Sequence, residues 1–208
     1  MSDSPLISFI IFAGALYLAK LWRDDLLLAK AGNPNPRALP GATSVPMTAV
    51  WIGVIGAILL VLMETGGELA LGVSGEQTDI AAIMLFSMVG AGIIEEVLFR
   101  GYFVIKSRGK AVLVASVVVF SLLFALAHYQ YYTDIEKIGE DVQLAISLDR
   151  KVGWSLLLLF LNSIWFYTLR FFKWNPEQSL LPCFAAHIAS NLAVFLVKLA
   201  QGHVTGWY

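Results

Sequence analysis

The chain has 208 residues, 58% of them hydrophobic and only 14% charged, with a mean hydropathy of +0.75. A soluble domain is roughly a quarter charged, so this composition is that of a polytopic membrane protein, and a net charge of −1 gives no support to a nucleic-acid partner, which would want a basic patch. The single cysteine, Cys183, excludes an internal disulfide and a multi-thiolate metal site, and is read as a small buried apolar residue.

Six apolar segments follow one another, at about 6–22, 47–63, 80–105, 111–132, 153–172 and 180–200. Each is near the ~20 residues that a spanning helix needs. The expected fold is all-α, one integral membrane domain over 1–208 with about six transmembrane helices. Six Trp, seven Tyr and thirteen Phe suit aromatic belts at the two interfaces. No Lys or Arg precedes the first segment, which is therefore expected to be retained rather than removed as a secretory signal. After it, residues 23–30 mix charge with Leu26, Leu27 and Leu28 and read as a frayed helix end, and the Pro- and Gly-rich stretch 32–41 reads as a loop.

Charge orients the segments. Lys20, Arg23, Lys30 and Arg37 follow the first, Lys106, Arg108 and Lys110 the third, and Arg170 and Lys173 the fifth, whereas residues 64–79 hold four acids and no Lys or Arg. The positive-inside rule then places both termini outside a bacterial cytoplasmic membrane. In the acidic connection 134–151, Ile135, Ile138, Val142 and Ala145 recur at helical spacing, which predicts an amphipathic helix at the interface.

A few strongly polar residues lie inside apolar segments: Glu95, Glu96 and Arg100 in the third, His128 in the fourth, Asn162 in the fifth, His187 and Asn191 in the sixth. An ionised residue at the centre of a membrane helix costs about 2.5–3.5 kcal/mol on insertion scales, so three charges within six positions need a reason. The i,i+4 spacings put Glu96 with Arg100, Phe124 with His128, and His187 with Asn191 on shared helix faces. Glu95 points about 100° away from Glu96 and is free to meet a different partner. At ~1.5 Å per residue, Glu95 and Asn191 lie ~20 Å from the turns near Arg108 and Pro176, while His128 lies ~27 Å from Lys110, the poorest match in depth. Glu96 with Arg100 reads first as a structural ion pair, Asn162 as ordinary interhelical hydrogen bonding, and His203 in the tail as uninvolved.

A carboxylate and an imidazole aimed at one water form a general base, and a second imidazole with an amide can donate to a developing oxyanion. That is sufficient to hydrolyse an amide without a covalent nucleophile. Two histidines and a glutamate can alternatively ligate zinc; in that case the ligands are Glu95, His128 and His187, although the HExxH arrangement is absent. Otherwise no cofactor or metal is expected.

Glu95-Glu96-Val97-Leu98-Phe99-Arg100 matches EExxxR, Phe124 to His128 matches FxxxH, and His187 to Asn191 matches HxxxN. In this order on successive apolar segments, they resemble the CPBP (Abi) family, which contains the type II CAAX prenyl endopeptidases. The resemblance covers a core of about 93–195. It implies a glutamate-dependent intramembrane endopeptidase in which Glu95 and His128 activate water, His187 and Asn191 hold the oxyanion, and Glu96, Arg100 and Phe124 support them. It also implies as partners the bilayer and a peptide or protein substrate, such as a membrane-anchored C-terminal segment. Prenyl-protein proteases of the family typically have eight membrane segments rather than six, so "CAAX" is here a family name. The alternatives are a non-catalytic scaffold or bacteriocin-immunity factor built on the same bundle and, from a third class, a proton-coupled transporter.

Overall fold

A computed structural model describes residues 4–128, 133–138, 141–146 and 148–208. Among these, six α-helices form one bundle: α1 (Pro5–Lys30), α2 (Met47–Leu71), α3 (Met84–Glu95), α4 (Lys110–Ala127), α5 (Arg150–Phe171) and α6 (Leu181–Gln201). All but α3 are long and apolar enough to cross a membrane. With 12 residues, α3 is too short alone, and it runs directly into a π-helical segment, Glu96–Tyr102. The all-α membrane bundle expected from the sequence is what forms, with the third segment wound in two different ways.

Local chemistry sets the helix ends. Pro5 opens α1 and Pro182 lies in the first turn of α6, where a missing N–H costs nothing. The Asp149 carboxylate caps α5 by accepting from Val152 N at 2.8 Å. Gly72, at φ 73°, ends α2 in the left-handed conformation that a glycine adopts without strain. Residues 23–30 continue α1 rather than fraying, because buried Asp25 accepts from Asn35 Nδ2 and Leu39 N, both at 2.8 Å, and ties the helix to the following loop.

Packing relies on small residues, as helix association in lipid requires. On α3, a Cβ at Gly92 would lie 3.0 Å from Ile188 Cγ1 and 3.2 Å from Ile188 N, so the absent side chain lets α3 rest directly on α6. The buried core joins Ala15, Trp22, Ile93, Val97, Phe166, Leu169, Cys183 and Phe184. Cys183 is fully buried within it, as expected. Leu59 and Leu62 on α2 and Val118, Val119 and Leu122 on α4 remain exposed, an apolar outer surface suited to lipid.

The loops 31–46, 103–109 and 172–180 meet at one end of the bundle: Thr43 Oγ1 donates to Glu177 O at 2.9 Å, Leu180 N to Gly41 O at 3.0 Å, and Lys106 Nζ to Gln178 Oε1 at 3.0 Å. At the opposite end Lys151 pairs with Glu68, and Lys198 Nζ donates to Gln77 Oε1 at 2.9 Å and Thr78 O at 2.7 Å. Here the C-terminal tail pairs Val204 with Ile80 in a parallel bridge, and His203 Nδ1 meets Asp79 Oδ1 at 2.8 Å, so His203 anchors the tail instead of being uninvolved.

The 134–151 connection corrects the sequence expectation. Instead of an amphipathic helix it holds an antiparallel hairpin, β1 (Thr133–Ile138) and β2 (Asp141–Ile146), with Thr133 opposite Ile146 and Ile138 opposite Asp141. The i,i+3 spacings seen there coexist with an alternation at Val142, Leu144 and Ile146, and β-branched residues favour the extended form. Residues 129–132, expected to end the fourth apolar segment, lie outside the described residues.

Candidate active site

The junction between α3 and its π-helical continuation falls between Glu95 and Glu96. The segment ends at Tyr102, and α5 satisfies carbonyls left open at that end. Tyr167 Oη lies 2.8 Å from both Phe99 O and Phe103 O, so one hydroxyl proton is shared between them, and Arg170 Nη1 donates to Gly101 O at 3.3 Å. Single turns of π-helix inside longer helices are frequent at functional sites.

Glu96 and Arg100 are completely buried and joined by a 3.0 Å bond from Nη1 to Oε1. Arg100 Nη2 also donates to Ser163 Oγ at 2.7 Å. Four rings surround the guanidinium: Phe124 at 4.6 Å, Phe166 and Tyr167 at 5.0 Å, and Phe99 at 5.8 Å. This is the ion pair expected from the sequence, in a cage of cation–π contacts.

Glu96 has a second partner. His187 Nδ1 lies 2.7 Å from the same Oε1, while His187 Nε2 lies 3.8 Å from Glu95 Oε2. A carboxylate accepts, so Nδ1 carries the hydrogen, and in the neutral ring Nε2 is then an acceptor turned towards Glu95. Phe166 stacks on this imidazole at 4.9 Å and 21°, fixing its plane. Both glutamates therefore address one histidine.

On α4, His128 is the C-cap residue, and its Nδ1 lies 2.8 Å from Phe124 O, which leaves Nε2 as the acceptor in the neutral ring. The Phe124 ring is buried between the two histidines, 4.8 Å from His128 and 6.1 Å from His187. On α6, Asn191 Nδ2 donates to Met88 O at 2.7 Å, so its amide is oriented by the backbone of α3. Glu95, His128, His187 and Asn191 all line one cavity of about 620 Å³, together with Met88, Phe99, Phe124, Asn162, Phe166 and Ser190. The depth mismatch at His128 does not separate it from the others, because the third segment stops being helical at Tyr102 and never reaches Arg108 as the depth estimate assumed.

A family model described as type II CAAX prenyl endopeptidase, Rce1-like, matches residues 77–193, more than half of the chain, from the approach to α3 through Asn191. The chain belongs to this family. No curated protein and no solved structure matches. Membership makes it a CAAX-type intramembrane protease at the family level, in a multi-pass integral membrane protein.

The three residues named for zinc, Glu95, His128 and His187, line the same cavity. Among the described residues no three His, Cys, Asp or Glu side chains converge as a metal would require. His187 turns Nδ1 to Glu96 and His128 turns Nδ1 to a main-chain carbonyl, contacts that a metal-bound imidazole also makes, so in each neutral ring Nε2 is the lone-pair atom.

Sequence reasoning left some cavity residues aside. Glu64 and Lys198 line the end of the cavity distant from the basic loops. Hydropathy falls after Met63 and assigns Glu64 to a connection, yet α2 continues to Leu71, and the Glu64–Glu68 i,i+4 spacing is the available sign. Phe166, stacked on His187, carried no signal among thirteen phenylalanines.

Proposed function

We propose that this chain is an intramembrane endopeptidase that hydrolyses a peptide bond of a membrane-associated peptide or protein. The observation that supports this most is that Glu95, His128, His187 and Asn191 together line one cavity inside a largely apolar bundle. In this reading Glu95 and the Nε2 atom of His128 draw a proton from water, whose oxygen attacks the scissile carbonyl carbon. Asn191 keeps one Nδ2 hydrogen on Met88 O and offers the other to the oxyanion. A donor role for His187 Nε2 requires the doubly protonated ring, flanked by Glu95 and Glu96. Collapse of the tetrahedral intermediate breaks the C–N bond as the proton passes to the leaving nitrogen. No metal or cofactor is assigned a step.

Glu96 and Arg100 hold the site and are not placed in contact with substrate. By charge, the three basic loops face the cytoplasm and both termini lie outside. The test is a comparison of protein termini in membranes of cells carrying the wild-type chain or Glu95→Gln. The expected result is loss of one set of cleavage products while the variant stays folded. Wild-type cleavage by folded Glu95→Gln would refute the mechanism. The scaffold or immunity alternative draws on the closed Glu96–Arg100–Ser163–His187 network, and it predicts that Glu95→Gln alters stability without altering any processing.

A further inference from the structure

Asn162 lies in the middle of α5 and is 7% exposed. Its Oδ1 is buried and accepts no hydrogen bond from any described residue, so the interhelical bond expected of it is absent among those residues. It does line the cavity that holds Glu95, His128, His187 and Asn191. Its neighbours on α5 have other duties. Ser163 accepts from Arg100, and Phe166, one turn further on, stacks on His187. The carboxamide therefore stands on the cavity face, one helical turn from the ring that backs His187.

A buried amide oxygen without a donor costs about 1–3 kcal/mol, and an apolar side chain of the same branching, such as leucine, would avoid that cost. Substrate chemistry supplies the missing partner. A helical peptide hides its N–H and C=O groups, so the scissile region must unwind before water can reach a carbonyl. In apolar surroundings each backbone group so freed must find a new partner. Several polar atoms of the site already have protein partners: His187 Nδ1 on Glu96, His128 Nδ1 on Phe124 O, and one hydrogen of Asn191 on Met88 O. The carboxamide of Asn162 offers an acceptor and a donor side by side, matching one N–H and one C=O of an extended strand.

We infer that Asn162 binds the main chain of the unwound substrate, Oδ1 accepting a peptide N–H and Nδ2 donating to a carbonyl of the same strand. The ligand class is an extended peptide backbone, selected by its amides and not by a side chain. The inference rests on the peptidase reading, and its test is arranged so that the two can fail separately.

The probes are a fluorescent apolar host peptide and a series in which one amide N–H at a time is replaced by an ester oxygen. Binding to full-length Glu95→Gln protein in lipid nanodiscs is read by anisotropy, which needs no turnover. One ester position is expected to weaken binding about tenfold, the loss of one buried hydrogen bond. In Glu95→Gln/Asn162→Leu the all-amide peptide should be weakened by a similar factor, with no further loss from that ester. Asn162→Gln should restore part of the binding. Asn162→Leu should melt no lower than wild type, because the orphaned oxygen is gone; a merely structural asparagine would lower the melting temperature. In turnover, the Asn162→Leu loss should appear in KM more than in kcat. Equal ester penalties with and without Asn162, unchanged binding by Asn162→Leu, or no binding of any peptide would each overturn the inference. If the ester pattern appears but the wild type cleaves none of the peptides, the peptidase reading fails for them while the backbone site stands.

Discussion

Replacing Glu96 by Gln preserves the shape of the side chain and removes the charge that Arg100 faces. Both residues are fully buried, so the variant leaves a guanidinium in the bundle without a counter-ion. Breaking a buried pair from one side costs about 3–5 kcal/mol. Two features of the structure pull the figure towards the lower limit: the new amide oxygen can still accept from Arg100, and four rings within 5.8 Å continue to stabilise the cation. About 3 kcal/mol is therefore expected, which for a chain of this size lowers Tm by roughly 6–12 °C. The assay is thermal melting in lipid–detergent micelles of wild type, Glu96→Gln, Arg100→Met and the double variant. Removing both charges removes the uncompensated ion, so the double variant should recover about 2–3 kcal/mol relative to the sum of the singles. Strictly additive losses would refute the pair as a coupled unit. Glu95→Gln is the control; its side chain is 28% exposed at the cavity, and a shift of less than about 1 kcal/mol is expected.

Three further outcomes follow from the same geometry. Gly92→Leu forces a side chain into Ile188, where a Cβ alone already sits 3.0 Å away; it should cost about 1–3 kcal/mol and lower cleavage up to ~100-fold by moving Glu95 from His187, as peptide turnover and melting would show. Metal chelators should leave turnover of a cleaved peptide unchanged if Glu95 and His128 act on water directly; loss with recovery on adding zinc would make Glu95, His128 and His187 ligands instead. In a Cys183→Ser background, Glu76→Cys should react with an impermeant maleimide from outside the cell and Arg108→Cys should not, both positions being exposed at opposite ends of the bundle.

Much of the bundle was legible because a spanning helix needs an unbroken apolar run, and such runs are hard to hide. The candidate site was legible for the complementary reason: Glu95, His128, His187 and Asn191, which line one cavity, stand out in the sequence only because their surroundings are apolar. What was not legible depends on winding and neighbours. Nothing in the order of Glu95 and Glu96 announces a change from α to π between them, nor that both carboxylates would flank opposite nitrogens of His187 instead of being divided between partners. Hydropathy ends at Met63, but the backbone stays helical until Gly72 permits a left-handed turn, and this extra length carries Glu64 to the cavity. Between 133 and 146 the sequence satisfied two periods at once, and only strand pairing decided between them.

Access explains why so costly a cluster has the form it does. Three charges in one membrane segment cost about 2.5–3.5 kcal/mol each if left unpaired near the bilayer centre. Glu96 and Arg100 offset one another and are wholly enclosed, so neither can meet a substrate, and neither lines the cavity. What they supply is position. Through Glu96 the pair fixes His187 Nδ1, and through Ser163 it grips α5 one residue after Asn162. Glu95 alone of the three opens onto the cavity, with its buried Oε2 accepting no hydrogen bond from described residues. A carboxylate kept without a donor beside a rigidly held imidazole is poor design for stability and sound design for taking a proton from water. The enclosed pair thus holds His187 rigid beside the half-buried carboxylate of Glu95, and weakening the pair should loosen that arrangement before it unfolds the bundle.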